Sequence, residues 1–306
     1  MNKMILNNGV EMPSIGLGTY PLFGTQLSQI VLAAYDCGYR LFDTADNYYN
    51  EEDLGDALSE LYNKKGNVRE ELFLVTKISD ELYRQNDITP GMNRGIYFWK
   101  NSPYMRSNHA CHDIVTKKIE TSLRFLKTDY IDLLLMHRPY PDFFEEIWYE
   151  MEQAYKAGKV RAIGLCNSYE RHLDKLLKSG TVVPMVNQIE TSPLNTKKAL
   201  IDYYTSKKVQ MMVYSPLQTL KCKKEIEFLQ YLEKISCKYG KNIGQVLLRY
   251  HIQRNLIPIP KSTSVNRLQS NIAVFDFCMT DTEIEELSSF NIDYQYLPES
   301  KGCPGF

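Results

Sequence analysis

Residues 41–52 read LFDTADNYYNEE. Leu41 and Phe42 have the apolar character of a buried strand's end, and Asp43-Thr44 leave it. Glu51-Glu52-Asp53 then put acid charge where a helix should start, which its dipole favours. An acid at a strand's mouth and Tyr48 in the following loop can share one pocket. Taken alone, the pair is as well explained by a turn-capping Asp43 and a surface ring at Tyr48. Two other stretches answer it: Lys77 ends a second apolar run and His137 a third.

Outward from that stretch the chain alternates strand and helix. Strands are expected at Ser14–Gly18, Arg40–Asp43, Leu72–Lys77, Ile131–His137, Val160–Leu165, Met185–Glu190, Gln210–Tyr214 and Leu256–Ile259. Helices are expected near Leu27–Cys37, Glu52–Lys64, Asp113–Leu126, Phe143–Ala157, Glu170–Ser179, Lys197–Ser206, Asn242–Arg254 and Val265–Ala273. Runs such as IDLLLM are nearly all apolar, as in a parallel sheet covered on both faces. Eight such units predict an α/β fold, a closed (β/α)8 TIM barrel. An open doubly wound sheet is disfavoured, because no GxGxxG opens the first helix. Asn7-Asn8-Gly9 predicts an N-terminal β-hairpin. The whole of 1–306 reads as a single domain, with a long insertion after the third strand (residues 78–112) and a C-terminal tail (residues 291–306).

In a barrel of this kind, Asp43, Lys77 and His137 share the C-terminal rim. Residues 78–112 should reach that face too, with Arg94, Tyr97, Phe98, Trp99, Lys100, Tyr104 and Arg106 available for a lid, an oligomer contact or a solvated loop. His109, Cys111 and His112 lie close in sequence but lack a fourth ligand at metal spacing, so no metal is expected.

Composition narrows the function. The 306 residues carry a formal net charge of -1, and 24% are charged, giving no field to recruit nucleic acid or an acidic membrane. No window approaches a membrane helix, and the start of the chain does not read as a secretory signal. Seven cysteines without CxxC spacing fit reduced thiols and a cytoplasmic protein.

A phenol is a poor acid near neutrality; a lysine ammonium beside Tyr48 would lower its pKa, and an aspartate would hold that lysine charged. With a histidine to orient a carbonyl oxygen, the set can polarise and protonate a ketone or aldehyde as hydride arrives.

The chain resembles the aldo-keto reductases along essentially its whole length. The motifs are GLGTY (16–20), DTADNYYNEE (43–52), LVTK (74–77), TDYIDLLLMHRP (128–139), AIGLCN (162–167), VNQIETSP (186–193), YSPLQ (214–218) and IPKS (259–262). The resemblance implies reduction of a carbonyl compound. Tyr48 would be the general acid, Lys77 and Asp43 its tuning pair, and His137 the group that orients the carbonyl. It further implies NADPH, with NADH less favoured, lying across the mouth. Thr19, Tyr20, Asp43, Cys166, Asn167 and Gln188 would sit at the nicotinamide end, with Tyr214 stacked on the ring. Ser215, Pro216 and Leu217 would line the pyrophosphate. Lys261, Ser262, Ser264, Arg267 and Asn271 would hold the adenosine 2′-phosphate and adenine. Tyr20, Tyr49, His137 and Arg138 would wall the substrate, with Tyr294 and Tyr296 of the tail as further candidates. The sequence departs from the family pattern at Tyr49 (commonly small), Cys166 (usually serine), Ser192, Gln218, Ser270 and Arg138 (often tryptophan). Arg138 would favour an anionic carbonyl substrate, or instead pair with Asp142, Glu145 or Glu146. A monomer is the simplest state, and a dimer remains open. The alternative function is a cofactor-binding regulatory protein on the same barrel; a metal-assisted hydrolase lacks the ligand clusters it would need.

Overall fold

The computed structural model describes residues 2–79, 81–82, 97–98, 108–140, 143–180 and 182–297. Strands β1 (Lys3–Ile5) and β2 (Glu11–Pro13) form the expected hairpin, antiparallel, with Gly9 at φ +87° in its turn.

Eight strands follow in one parallel sheet: β3 (Leu17–Gly18), β4 (Leu41–Asp43), β5 (Phe73–Ile78), β8 (Leu133–Met136), β9 (Ile163–Cys166), β10 (Val186–Glu190), β11 (Gln210–Tyr214) and β12 (Ile257–Pro258). Between β5 and β8 lie β6 (Glu81–Leu82) and β7 (Tyr97–Phe98), an antiparallel pair within the inserted segment. Neighbours in the sheet are also neighbours in chain order. Its two ends meet, because Gly16 N–H donates to the Pro258 carbonyl at 3.0 Å and Gly18 N–H to the Pro260 carbonyl at 3.2 Å. Close approach at this seam needs glycine: a Cβ on Gly16 would lie 2.2 Å from Leu41 Cδ2. The barrel expected from the sequence is therefore present.

Helices α1 (Gly24–Asp36), α2 (Glu51–Lys65), α3 (Asn108–Phe125), α4 (Phe144–Lys156), α5 (Glu170–Lys178) and α6 (Lys198–Ser206) follow successive strands. β11 is followed by two helices, α7 (Ile226–Tyr239) and α8 (Ile243–Gln253); α9 (Val265–Ile272) follows β12, and α10 (Asp281–Ser289) comes last before the tail. α7 corrects the one-strand, one-helix expectation. Its buried Phe228, Leu232 and Ile235 make a helical stripe, and Gly240 ends it at φ +63°. The sheet itself is walled by buried aliphatic side chains, Leu133–Met136 among them, which is why its strands carry so few polar residues.

The expected start of the third helix, Asp113, moves back to Asn108. His109 and Cys111 thus fall on α3, but their side chains lie outside the described residues. His112 Nδ1 pairs with Glu150 at 2.6 Å. Arg94, Trp99, Lys100, Tyr104, Arg106 and Asp142 also lie outside the described residues. The tail is docked as far as Leu297: the Glu190 carboxylate, at the end of β10, accepts from the N–H groups of Tyr296 (2.6 Å) and Leu297 (3.1 Å). Lys221 donates to the Tyr296 hydroxyl at 2.6 Å. No described helix is long and apolar enough to cross a membrane.

Candidate active site

Parallel strands all deliver their C-terminal ends to one rim, so residues far apart in sequence converge there. Asp43 closes β4, Lys77 is the penultimate residue of β5, and His137 follows β8 directly. Tyr48 ends a single 3-10 turn, Asp46–Tyr48, that leaves β4 and leads into α2. Tyr49, next along, adopts φ +57°, the left-handed region that favours a small residue, so the tyrosine sits there against its backbone preference.

The Lys77 ammonium is completely enclosed. It donates to Asp43 Oδ1 at 2.7 Å, to the Thr44 carbonyl at 2.7 Å and to the Tyr48 hydroxyl at 3.5 Å. Asp43 Oδ2 accepts from Gln188 Nε2 at 2.8 Å. The imidazole of His137 meets the Tyr48 ring edge-on, centroids 5.7 Å apart, and the Tyr20 ring also packs against Tyr48, tilted, at 4.9 Å. Asp43, Tyr48, Lys77 and His137 are thus one contiguous group.

The electrostatics follow from burial and from these contacts. Burial pushes the Lys77 pKa down, but the Asp43 charge and hydrogen bond outweigh it, and the net shift is upward, so the ammonium stays charged. Burial pushes the Tyr48 hydroxyl up to about 12 even though Lys77 pulls it down. The expected lowering by Lys77 is therefore present but outweighed, and Tyr48 is a neutral phenol at neutral pH. Burial, then the Lys77 and Arg138 charges, hold His137 well below the usual histidine range; it is a neutral imidazole, able to donate one N–H.

Of the residues expected at the cofactor, Thr19, Gln188 and Asn167 contact this group directly, and Cys166 and Tyr214 adjoin them. Asn167, at φ +56°, donates to the His137 carbonyl at 3.2 Å and accepts from the Tyr214 hydroxyl at 2.7 Å. The Cys166 thiol, beside it, lies 3.9 Å from Gln188 Oε1. Thr19 is buried and donates to the Asp43 carbonyl, whereas Tyr20 is 56% exposed. Ser215 takes φ +52°, and the Pro216 carbonyl faces buried His251 Nε2 at 3.4 Å. Across the seam, Lys261 and Arg267 are exposed beside the start of α9. The Ser262 hydroxyl is committed to its own turn, accepting from Ser264 N–H and donating to Ser264 O. Asn271 is buried on α9. Ser270 is bonded by Asn242, the residue that caps α8.

A second ionic cluster behind the Tyr48 turn is absent from the sequence reading. Asp46 pairs with Lys118 of α3 at 2.6 Å, and both are buried. Next to them Glu51 accepts from Thr76 at 2.7 Å. Burial first, then the Asp46 charge, raises Glu51 from 4.5 to about 7. The folded protein therefore holds a proton on Glu51 that the unfolded chain loses. This stabilisation is complete below about pH 4.5 and is lost as pH rises through about 7. A shift of this size corresponds to about 3 kcal/mol. Glu51→Gln should remove it: urea denaturation of the variant at about pH 5 and about pH 8 is expected to lose that difference relative to wild type. An unchanged pH slope would count against the assignment.

The family model for the Aldo/keto reductase family matches residues 14–292. The chain is an aldo/keto reductase. It is similar to the glyoxal reductase of Bacillus subtilis strain 168, with 34% identity over 96% of this chain and 94% of the relative. It also resembles the methylglyoxal reductase DkgA of Escherichia coli O157:H7, with 33% identity over 94% and 92%. Among solved structures, the Bombyx mori aldo-keto reductase AKR2E4 in complex with NADP matches with a TM-score of 0.81 and 30% identity, over 98% of this chain and 96% of that one. This reductase is accordingly an NAD(P)H-dependent oxidoreductase, and its relatives support NADP-dependent carbonyl reduction in general terms.

Proposed function

We propose that this reductase converts an aldehyde or ketone to the alcohol with NADPH, through one barrel-domain site built on Asp43, Tyr48, Lys77 and His137. The observation that carries the reading is the Lys77 ammonium held between Asp43 Oδ1 and the Tyr48 hydroxyl at the barrel mouth. The residues present suit the cofactor. Tyr214 offers a half-exposed ring, Asn167 and Gln188 bring amides to the same mouth, and exposed Lys261 and Arg267 flank the start of α9. An ammonium and a guanidinium beside a helix N-terminus suit a phosphate dianion, and this supports NADPH over NADH.

When bound, NADPH supplies the hydride. Tyr48, protonated at neutral pH, gives its proton to the carbonyl oxygen as charge develops there. Lys77 stabilises the phenolate left behind, and Asp43 keeps Lys77 charged and in place. Neutral His137 donates an N–H to the same oxygen and fixes the carbonyl's orientation. Tyr20, Tyr49, His137 and Arg138 form the substrate wall, and the Arg138 charge, close enough to act on His137, favours a substrate bearing a negative group.

NADPH oxidation measured with a neutral aromatic aldehyde and a carboxylate-bearing one tests both parts. Turnover is expected with both, with lower KM for the anion, and Arg138→Met should remove that preference. Tight NADPH binding without turnover on any carbonyl compound would instead favour a regulatory, cofactor-holding role.

A further inference from the structure

We infer that Asp46 is a positioning residue for Tyr48: its carboxylate clips the turn that carries the phenol to the end of the strand that carries Lys77, and Lys118 supplies the charge that lets a carboxylate sit there. The inference rests on the reading of Tyr48 as proton donor. Asp46 stands two residues before Tyr48, at the start of the same 3-10 turn. Both of its oxygens accept the backbone N–H of Ser79, at 3.1 Å each. Ser79 is two residues beyond Lys77, and the Ile78 carbonyl between them accepts the His137 N–H at 2.9 Å. One side chain thus ties together the local backbones of Tyr48, Lys77 and, through Ile78, His137.

The turn needs such a tie. Its N-cap residue, Ala45, has no side chain to hold it, and three residues of 3-10 helix are weak by themselves. A buried carboxylate is costly unless compensated, and Lys118 compensates it at 2.6 Å while also reaching the Ser79 hydroxyl at 3.4 Å. Asp46, Lys118 and Ser79 are all buried. A buried ion pair is weak evidence for stability, since an apolar pair of similar volume often serves as well. Its placement, on the one turn that must hold a reacting hydroxyl against Lys77, is what assigns it a positional role.

Two charge-free double variants isolate the clip. Asp46→Asn/Lys118→Met keeps a carbonyl oxygen to accept the Ser79 N–H, whereas Asp46→Ala/Lys118→Met does not. Neither leaves an uncompensated buried charge, so folding is not put at risk as it would be by Lys118→Met alone. For each full-length protein, kcat with a reducible aldehyde is divided by the number of NADPH-binding sites, counted by fluorescence titration. The Asn pair should stay close to wild type. The Ala pair should lose about 10- to 100-fold in kcat per site, the scale of a 1 Å misplacement, with NADPH affinity unchanged. A merely structural role would lower the number of binding sites and leave kcat per site alone. Equal kcat per site in the two double variants overturns the inference. Tyr48→Phe, run alongside, separates the failures: if it retains activity, the proton-donor reading falls; if it is inactive while the two pairs match, only the positioning role falls.

Discussion

Tyr48→Phe is expected to lower kcat for aldehyde reduction by about 100- to 10,000-fold, the range supplied by a positioned general acid. The substitution keeps the ring that packs against Tyr20 and His137 and deletes only the hydroxyl facing Lys77. NADPH affinity and the unfolding midpoint should therefore hold. The pH behaviour has a definite sign. Because burial takes the Tyr48 hydroxyl up to about 12, the wild-type acid remains loaded across the neutral range, and reduction should fall only at strongly alkaline pH. Oxidation of the alcohol needs the phenolate, so it should rise with pH over the same interval. NADPH consumption under single-turnover conditions reads the chemical step directly. A variant as fast as wild type would remove Tyr48 from its role.

Lys77→Met is expected to damage both chemistry and folding. The fully buried ammonium has three partners, and Asp43 is only 2% exposed. Without it the Asp43 carboxylate keeps the Gln188 amide but loses its countercharge. Leaving one half of a buried pair costs about 3–5 kcal/mol, and losing a charge aimed at the developing phenolate costs roughly 100- to 1,000-fold in kcat. Adding Asp43→Asn to Lys77→Met separates the two effects: most of the stability should return while activity does not. Denaturant midpoints and kcat of the single and double variants check this. Recovery of activity along with stability would mean that Lys77 serves the fold rather than the phenol.

Much of this was legible from residue order because a barrel turns sequence into position simply. Each apolar run ends at the same rim, so the polar residue that closes it is a candidate for the mouth; Asp43, Lys77 and His137 are read in this way, whereas Asn167 follows only from the family resemblance. The same simplicity hid α7. One helix per strand leaves residues 215–241 without an element, although Phe228, Leu232 and Ile235 have helical spacing and Gly240 provides the stop. Asp46 was hidden for another reason. After a strand an aspartate reads as a turn former, and its partner Lys118 is 72 residues away, on a helix whose start lay inside the insertion. No local pattern marks such a pair. The net Tyr48 pKa is not legible in sequence, which names the ammonium that lowers it but not the burial that outweighs that lowering.

The seam between β3 and β12 bears on how the protein is made. Gly16 and Gly18 lend N–H groups to Pro258 and Pro260, and proline has no N–H to return. The two sides come from opposite ends of the chain. Without β12 the other seven strands would leave two open sheet edges, and an open edge invites pairing with another chain. Only with residues 256–260 in place can the ring shut, the Pro260 carbonyl then accepting the Gly18 N–H. The last strand to be synthesised thus completes both the barrel and the mouth that the first strand began.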